Sequence, residues 1–167
     1  MLIKNLEKMV IEIERALECN LHLAALTMTL ILPDICSKIE YPHIKKTGER
    51  YIMWLKDRID IDYPINRKST LIDETGSPVS FEYFTSEKIY RLRNTLLHES
   101  KSQYESGYQS IIFDIISDSD EKYVSCSSIL ACGNGEKSMI YKHVRVNVHD
   151  LCVRILCHAK TYIQEKQ

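Results

Sequence analysis

The segment from Leu21 to Ile39 constrains the fold most, because it is apolar nearly all round. A surface helix carries its apolar residues as one stripe at the 3.6-residue repeat, whereas a helix that is apolar on every side is buried among others. This segment therefore predicts the central helix of a bundle. Pro33 within it predicts either a kink or a new short helix with Asp34 in its first turn.

Four further segments have an amphipathic helical pattern. Apolar residues at helical spacing predict a first helix over residues 2–18, and Thr47 is a good N-cap for another at about residues 48–60. A helix capped by Thr85 or Ser86 is predicted to end near Ser100. Asp150 predicts the cap of a final helix, Leu151 to Gln164. The residues expected to face inward are Tyr51, Ile52, Leu55, Ile59, Val153, Leu156 and Ile163.

The pattern changes after residue 110, where short β-branched runs replace the helical repeat. They lie at Ile111–Ile116, Tyr123–Ala131 and Met139–Val148, and Gly133-Asn134-Gly135 between the last two is a strong hairpin signal. The predicted fold class is mainly α: a helical bundle with a small antiparallel sheet, within residues 110–148, inserted before the last helix. Residues 61–83 have little periodicity and predict a long loop of the functional or mobile kind.

Length and charge narrow the possible functions. The chain has 167 residues, which is most economically a single domain over residues 1–167. A net charge of −1 argues against a protein that coats nucleic acid, but it allows an enzyme that touches a few phosphates. The N-terminus reads directly into an amphipathic helix, and the apolar run Leu21–Leu32 is too short to span a bilayer. We therefore expect a cytoplasmic protein with reduced cysteines and no membrane partner.

The candidate chemistry lies in Arg93-Asn94-Thr95-Leu96-Leu97-His98, at the end of the helix predicted after Thr85. A histidine that titrates near neutrality suits a general acid or base, and an arginine can stabilise charge on a phosphorane-like transition state. These groups could cleave RNA through its own 2′-hydroxyl without a metal. On an ideal α-helix, however, positions 93 and 98 lie about 140° apart at 3.6 residues per turn.

The hexapeptide is similar to the Arg-x4-6-His signature of the HEPN superfamily, and the string from Ile89 to Ser100 resembles one branch of uncharacterised bacterial HEPN-like proteins. The resemblance implies a helical bundle and a metal-independent endoribonuclease of toxin–antitoxin or phage-defence type. It also implies a homodimer with Arg93 and His98 lining a shared cleft, Asn94 assisting, and an antitoxin protein as a possible partner. The family includes non-catalytic members that bind nucleotides or assemble with partners, so that reading stays open.

Other cationic residues give candidate RNA contacts. Arg50, Trp54 and Arg58 are spaced four apart on the predicted third helix and could stack a base and hold a phosphate. The competing interpretation, which we favour, is a half-buried Trp54 covered by arginine stems. Arg91 could add a phosphate contact, as could Arg67 and Lys68 in the long loop, although solvated surface charge is the interpretation we favour for each.

No metal or cofactor is expected. Cys126, Cys132, His143 and His149 are spaced more widely than zinc-finger ligands, and the sequence has no Cys-x-x-Cys pair. The run Gly133 to Ser138 lacks the first glycine of a phosphate-binding loop and places Glu136 where a phosphate would lie. We interpret it as the turn of the hairpin.

Overall fold

The protein is mainly α-helical. The computed structural model describes the backbone of residues 2–62, 85–99, 103–106, 109–116, 125–131 and 139–167, and the side chains of residues 3–59, 85–97 and 146–167. The helices are α1 (Leu2–Glu18), α2 (His22–Thr29), α3 (Leu32–Glu40), α4 (Thr47–Asp62), α5 (Ser86–Asn94) and α6 (Val148–Glu165). One turn of π-helix, Thr95–Glu99, follows α5 directly. Residues 63–83 of the predicted loop and the predicted Gly133-Asn134-Gly135 turn lie outside the described residues.

The predicted central helix is two helices, separated at Leu30 and Ile31. Pro33 occupies the first turn of α3, where its missing N–H costs no helical hydrogen bond, and Asp34 follows it there. Of the two predicted alternatives, the new short helix is therefore the one observed. Leu26, Leu30 and Leu32 are fully buried.

The N-terminal end of α2 departs from the prediction of burial on every side. Leu21 and Leu23 are 57% and 61% exposed, so one face of this apolar helix remains in contact with solvent. The stretch from His22 to Glu40 is long and apolar enough to cross a membrane by length and composition alone. The core helices of soluble proteins satisfy the same criterion, and nearly half of this stretch is buried inside the bundle, so the criterion decides little.

A single apolar core contains residues from all six helices. Tyr51, Leu55 and Ile59 of α4 face inward as predicted, and Trp54 joins them, whereas Ile52 is only half-buried. On α6, Leu156 and Ile163 are buried, but Val153 is 44% exposed, which corrects the prediction for that residue. The largest fully buried side chains are Trp54, Tyr51, Tyr162, Leu6, Ile13, Leu26, Leu30, Leu32, Leu55, Ile59 and Ile89.

The two helix caps predicted near the C-terminal half have different outcomes. Thr85 caps α5 as predicted: it is extended, and its hydroxyl accepts a hydrogen bond from the Lys88 backbone N–H at 3.4 Å. The cap of α6 is Asn147 instead of Asp150, because the Asn147 side chain accepts the Asp150 N–H at 2.9 Å. Asp150 lies inside the first turn, where a carboxylate complements the helix dipole.

The sheet differs from the wholly antiparallel prediction. Strands β1 (Gln103–Ser106), β2 (Gln109–Ile116), β3 (Ser125–Ala131) and β4 (Met139–Asn147) lie in the order β1-β2-β4-β3. β4 pairs antiparallel with β3 but parallel with β2, and β1 extends the sheet before residue 110. The reason lies in the strand order, because β4 occupies the position between β2 and β3, which run in opposite directions, so it must be parallel to one and antiparallel to the other.

Candidate functional site

The motif lies where the helix changes its hydrogen-bonding pattern. Arg93 and Asn94 are the last residues of α5, and the backbone of residues 95–99, including His98, is π-helical. Thr95, at the junction, is buried, and its hydroxyl donates to the carbonyls of Arg91 at 3.1 Å and Leu92 at 3.0 Å. Threonine hydroxyls that bond back to the preceding turn compete with the backbone ladder and distort helices. This contact lies at the residue where the change begins.

The π-turn alters the angular relation of the two principal motif positions. In an uninterrupted α-helix, positions 93 and 98 lie about 140° apart. A π-turn bonds residue i to residue i+5, so positions five apart move toward the same side of the helix. The wide angle between these positions on an ideal α-helix argues against pairing Arg93 with His98 within one chain. The π-turn reduces that angle and so weakens the argument. Turns of this type occur frequently at functional sites.

Arg93 is held by a carboxylate from a different helix. Its Nε and Nη2 donate to the same oxygen of Asp34, Oδ2, at 3.1 and 2.6 Å. The two side chains are only 16% and 15% exposed, so the ion pair is largely desolvated. Asp34 Oδ1 is also buried and has no hydrogen-bond partner within the described part of the chain. This pair fixes the guanidinium and ties the motif helix to the start of α3.

Asn94 also orients Arg93. Its Oδ1 accepts a hydrogen bond from Arg93 Nη1 at 2.9 Å. With the two bonds to Asp34, this contact gives each of the three guanidinium nitrogens a hydrogen bond. Arg93 is therefore positioned before any ligand binds. The structure thus brings the Arg93 and Asn94 side chains into contact, and their catalytic roles stay a prediction. The side chain of His98 lies outside the described residues.

Two tyrosines pack beside the ion pair. The rings of Tyr51 and Tyr90 lie 5.1 Å apart, and the Tyr51 hydroxyl donates to the Leu30 carbonyl at 3.0 Å. Burial raises the pKa of Tyr51 well above its usual value; the Asp34 carboxylate adds to this rise and the Arg93 guanidinium opposes it. Tyr51 therefore remains a neutral hydrogen-bond donor near pH 7.

Tyr90 also lies against the first turn of α4. A Cβ atom at Gly48 would lie 2.8 Å from both Cζ and the hydroxyl oxygen of Tyr90, closer than real Cβ contacts. Gly48 therefore lets α4 approach the motif helix at this point. Nothing in the sequence around Gly48 or Tyr90 predicted this contact. Only Thr47 indicated that a helix begins there.

We predict that Gly48→Ala lowers the free energy of unfolding by about 1–3 kcal/mol, because the methyl group forces the Tyr90 ring to move. Urea denaturation followed by circular dichroism measures the effect. In a Tyr90→Ala background the same substitution should be nearly neutral, since the obstructing ring is absent. An equal loss in both backgrounds would contradict the steric explanation.

The predicted base-stacking stripe on α4 does not have the required exposure. Trp54 is fully buried and meets Tyr162 edge to face, with ring centroids 6.2 Å apart, so it offers no face to a base. Arg58 lies over both rings and pairs with Glu165 through two hydrogen bonds, of 3.3 and 2.7 Å. The competing interpretation of Trp54 as a packed residue is the one the structure favours, with burial complete instead of partial.

Arg50 is directed to the backbone of the preceding loop. Its Nη1 donates to the carbonyls of Ile44 and Lys45 at 3.3 and 3.4 Å. It therefore organises that loop, and its direct RNA contact stays a prediction. Arg91 is half-buried on α5, and its carbonyl accepts the Thr95 hydroxyl. Its proposed phosphate contact stays a prediction.

A metal site requires a cluster of ligand side chains. Within the described residues, no group of three or more His, Cys, Asp or Glu side chains could hold a metal ion. Cys36 and Cys152 are buried, and burial raises the pKa of their thiols to about 12 and about 11, so both are protonated and unreactive at neutral pH. The side chains of Cys126, Cys132 and His143 lie outside the described residues, and His149 is exposed.

Comparison with known proteins gives no family, since no protein-family model, curated protein or solved structure matches the chain. The resemblance to HEPN proteins therefore rests on the motif and its surroundings alone.

Asp34 is the site residue that the sequence did not reveal. It is 59 residues from Arg93, and in the sequence it is merely an acidic residue in the first turn of a helix, where acids are common. A buried arginine needs a counter-ion, so the position of Arg93 near the apolar side of its helix was the one available signal.

Proposed function

We propose that the chain is a metal-independent endoribonuclease of HEPN type that acts as a homodimer, in a toxin–antitoxin or phage-defence setting. The observation that carries the proposal is the π-turn inside the motif. It moves positions 93 and 98 toward one side of the helix at the only place in the described chain where the α-helical pattern changes in this way.

The proposed chemistry assigns proton transfer to one residue and charge stabilisation to another. His98 takes the proton of the RNA 2′-hydroxyl, which then attacks the neighbouring phosphate. Arg93, fixed by Asp34 and Asn94, supplies the positive charge that the transition state requires. Because its guanidinium is held in place beforehand, no reorganisation is needed when the negative charge develops. The attack breaks the bond from phosphorus to the 5′-oxygen, which takes a proton from the solvent and leaves as a 5′-hydroxyl, while the other product is a 2′,3′-cyclic phosphate.

The ion pair itself supports a second candidate function, a non-catalytic HEPN-like nucleotide-binding or assembly module. Asp34 already neutralises Arg93, and a tightly paired arginine is also what a structural link between two helices requires. The two candidates differ in a measurable way, because only the enzyme turns over RNA.

The test is single-turnover cleavage of a single-stranded RNA in the presence of chelator. We expect wild-type protein to cleave it and His98→Ala to be slower by about a hundredfold or more, because proton transfer in the transition state contributes about that much. DNA of the same sequence should remain intact, since it lacks the nucleophile.

The matched control is His149→Ala, which removes an exposed histidine from the first turn of α6 and should leave the rate unchanged. Circular dichroism must show that both variants are folded. Equal rates in wild type and His98→Ala, or no cleavage by folded wild-type protein, would exclude the enzyme and leave the binding module.

A further inference from the structure

The loop between α3 and α4 carries exposed basic residues. Residues 41–46 contain His43, Lys45 and Lys46, all three exposed. Neither lysine forms an ion pair with any residue that the structure describes. Glu49 is the only acid between residues 41 and 50. On a chain with a net charge of −1, this is a local concentration of positive charge.

The loop has a fixed shape. The Ile44 N–H donates to the Tyr41 carbonyl at 3.1 Å, which closes a turn. The Arg50 side chain donates hydrogen bonds to the Ile44 and Lys45 carbonyls, and the Arg50 backbone N–H donates to the Lys46 carbonyl at 3.2 Å. Both lysine backbones are thus fixed by hydrogen bonds, and less entropy is lost when the loop binds a ligand.

Two contacts between α4 and α5 bring the Lys46 end of this loop to the level of the motif. Lys56 of α4 pairs with Glu87 of α5 at 2.5 Å, and further along α5 Tyr90 meets Gly48. As the numbering rises along α5 it falls along α4, so the two helices are antiparallel. Asn94 lies about 6 Å beyond Tyr90 along the helix axis, at 1.5 Å per residue. That advance carries the motif past Thr47, where α4 begins, to the level of the loop.

We propose that the α3–α4 loop is the surface that binds single-stranded RNA, with Lys45 and Lys46 holding phosphates next to the one that is cleaved. This inference rests on the proposed function for the choice of RNA. Phosphate contacts fix the register of a nucleic acid without reading its sequence. Two lysines on a preformed loop suit that role, and they supply contacts that the buried Trp54 cannot make.

The experiment compares Lys45→Ala/Lys46→Ala with a control of equal charge change, Lys4→Ala/Lys8→Ala, which removes two exposed lysines from α1. The probe is a fluorescent 2′-O-methyl oligonucleotide, which cannot be cleaved because its 2′-oxygen is blocked. We expect the loop variant to raise Kd by about tenfold at low salt, and to reduce the slope of log K against log salt by about 1.4, which is two contacts at about 0.7 each. The control should bind like wild type.

A cleavage assay then separates the two proposals. If the chain is a ribonuclease, the loop variant should raise KM by about tenfold and leave kcat within about twofold of wild type, because uniform binding is lost. Loop-dependent binding without any cleavage would refute the enzyme and keep the RNA surface. No measurable binding by wild type, an unchanged Kd in the loop variant, or an equal loss in the α1 control would overturn the RNA surface. The RNA surface would also be overturned if the loop variant lost binding to phosphatidylserine vesicles and kept wild-type RNA affinity. That result would assign the loop to a membrane.

Discussion

An Arg93→Met variant is expected to lose about 3 kcal/mol of unfolding free energy, because it leaves the Asp34 carboxylate in a largely dry site without its counter-ion. Both Asp34 oxygens would then lack a hydrogen-bond donor from the described residues, since Oδ1 has none already. Urea denaturation monitored by far-ultraviolet circular dichroism gives the value from the shift in midpoint at constant slope.

The double variant Asp34→Leu/Arg93→Met should recover most of this loss, because two apolar side chains of similar volume replace the pair and no charge stays buried. Arg154→Met is the matched control. Arg154 pairs with Asp150 one turn away on α6, where the side chains are 32% and 25% exposed, and we expect its loss to cost about 0.5 kcal/mol or less. A loss in Arg93→Met as small as this would show that the Asp34 pair is not a structural link.

The same link affects how activity data are interpreted. Arg93 fixes the start of α3 to the motif helix and is also the proposed cation for the transition state. A variant at Arg93 therefore combines lost stability with lost chemistry. For this reason His98→Ala, together with a measure of folded fraction, is the cleaner test of catalysis.

A Trp54→Ala variant is expected to lose about 3–5 kcal/mol, the range for removing a large aromatic side chain from a core. Trp54 is fully buried, packs edge to face on Tyr162 and lies beneath Arg58. For a chain of this size such a loss is a large fraction of the total stability. Thermal or urea unfolding, followed by circular dichroism because the only tryptophan is removed, gives the change.

Two controls make the Trp54 prediction specific. Met53→Ala changes the adjacent residue, which is 40% exposed, and should stay within about 0.5 kcal/mol of wild type. Trp54→Phe should cost less than Trp54→Ala, because it keeps most of the ring and removes an indole N–H that has no acceptor among the described residues. A base-stacking tryptophan would behave in the opposite way, with little change in stability and a large change in RNA affinity.

The sequence predicted best where local chemistry decides the structure. The apolar repeat of α1 gave its limits, and the Thr85 cap, which needs only a hydroxyl and a following helix, was placed correctly. The start of α6 was misplaced by three residues because Asn147 and Asp150 are both good caps. Only the approach of β4 to the helix decides between them.

The features that required tertiary information were the ones that shape the candidate site. No local pattern pairs Asp34 with Arg93 across 59 residues, and no local pattern tells that Tyr90 covers Gly48. The spacing of Arg50, Trp54 and Arg58 correctly placed them on one helix. It could not tell that this side faces α6, because aromatic and arginine residues occur in both cores and binding faces.

The sheet shows the same limit for strand order. The β-branched runs identified β2, β3 and β4, and a turn signal between two runs favours antiparallel neighbours. The parallel pairing of β2 with β4 depends instead on which edge β4 joins after β3. Runs that are neighbours in sequence need not be neighbours in the sheet.

The π-turn at Thr95–Glu99 changes what the number of residues between an arginine and a histidine means. Such a turn holds one residue more than the α-helical turn it replaces, so it acts as a one-residue insertion absorbed within a helix. Two chains can then differ by one residue in this interval and still present the two positions at the same angle. A motif with a variable interval is therefore compatible with one fixed geometry. Removing one residue between Thr95 and Leu97 would change the helix type more than it would change the angle between the arginine and histidine positions.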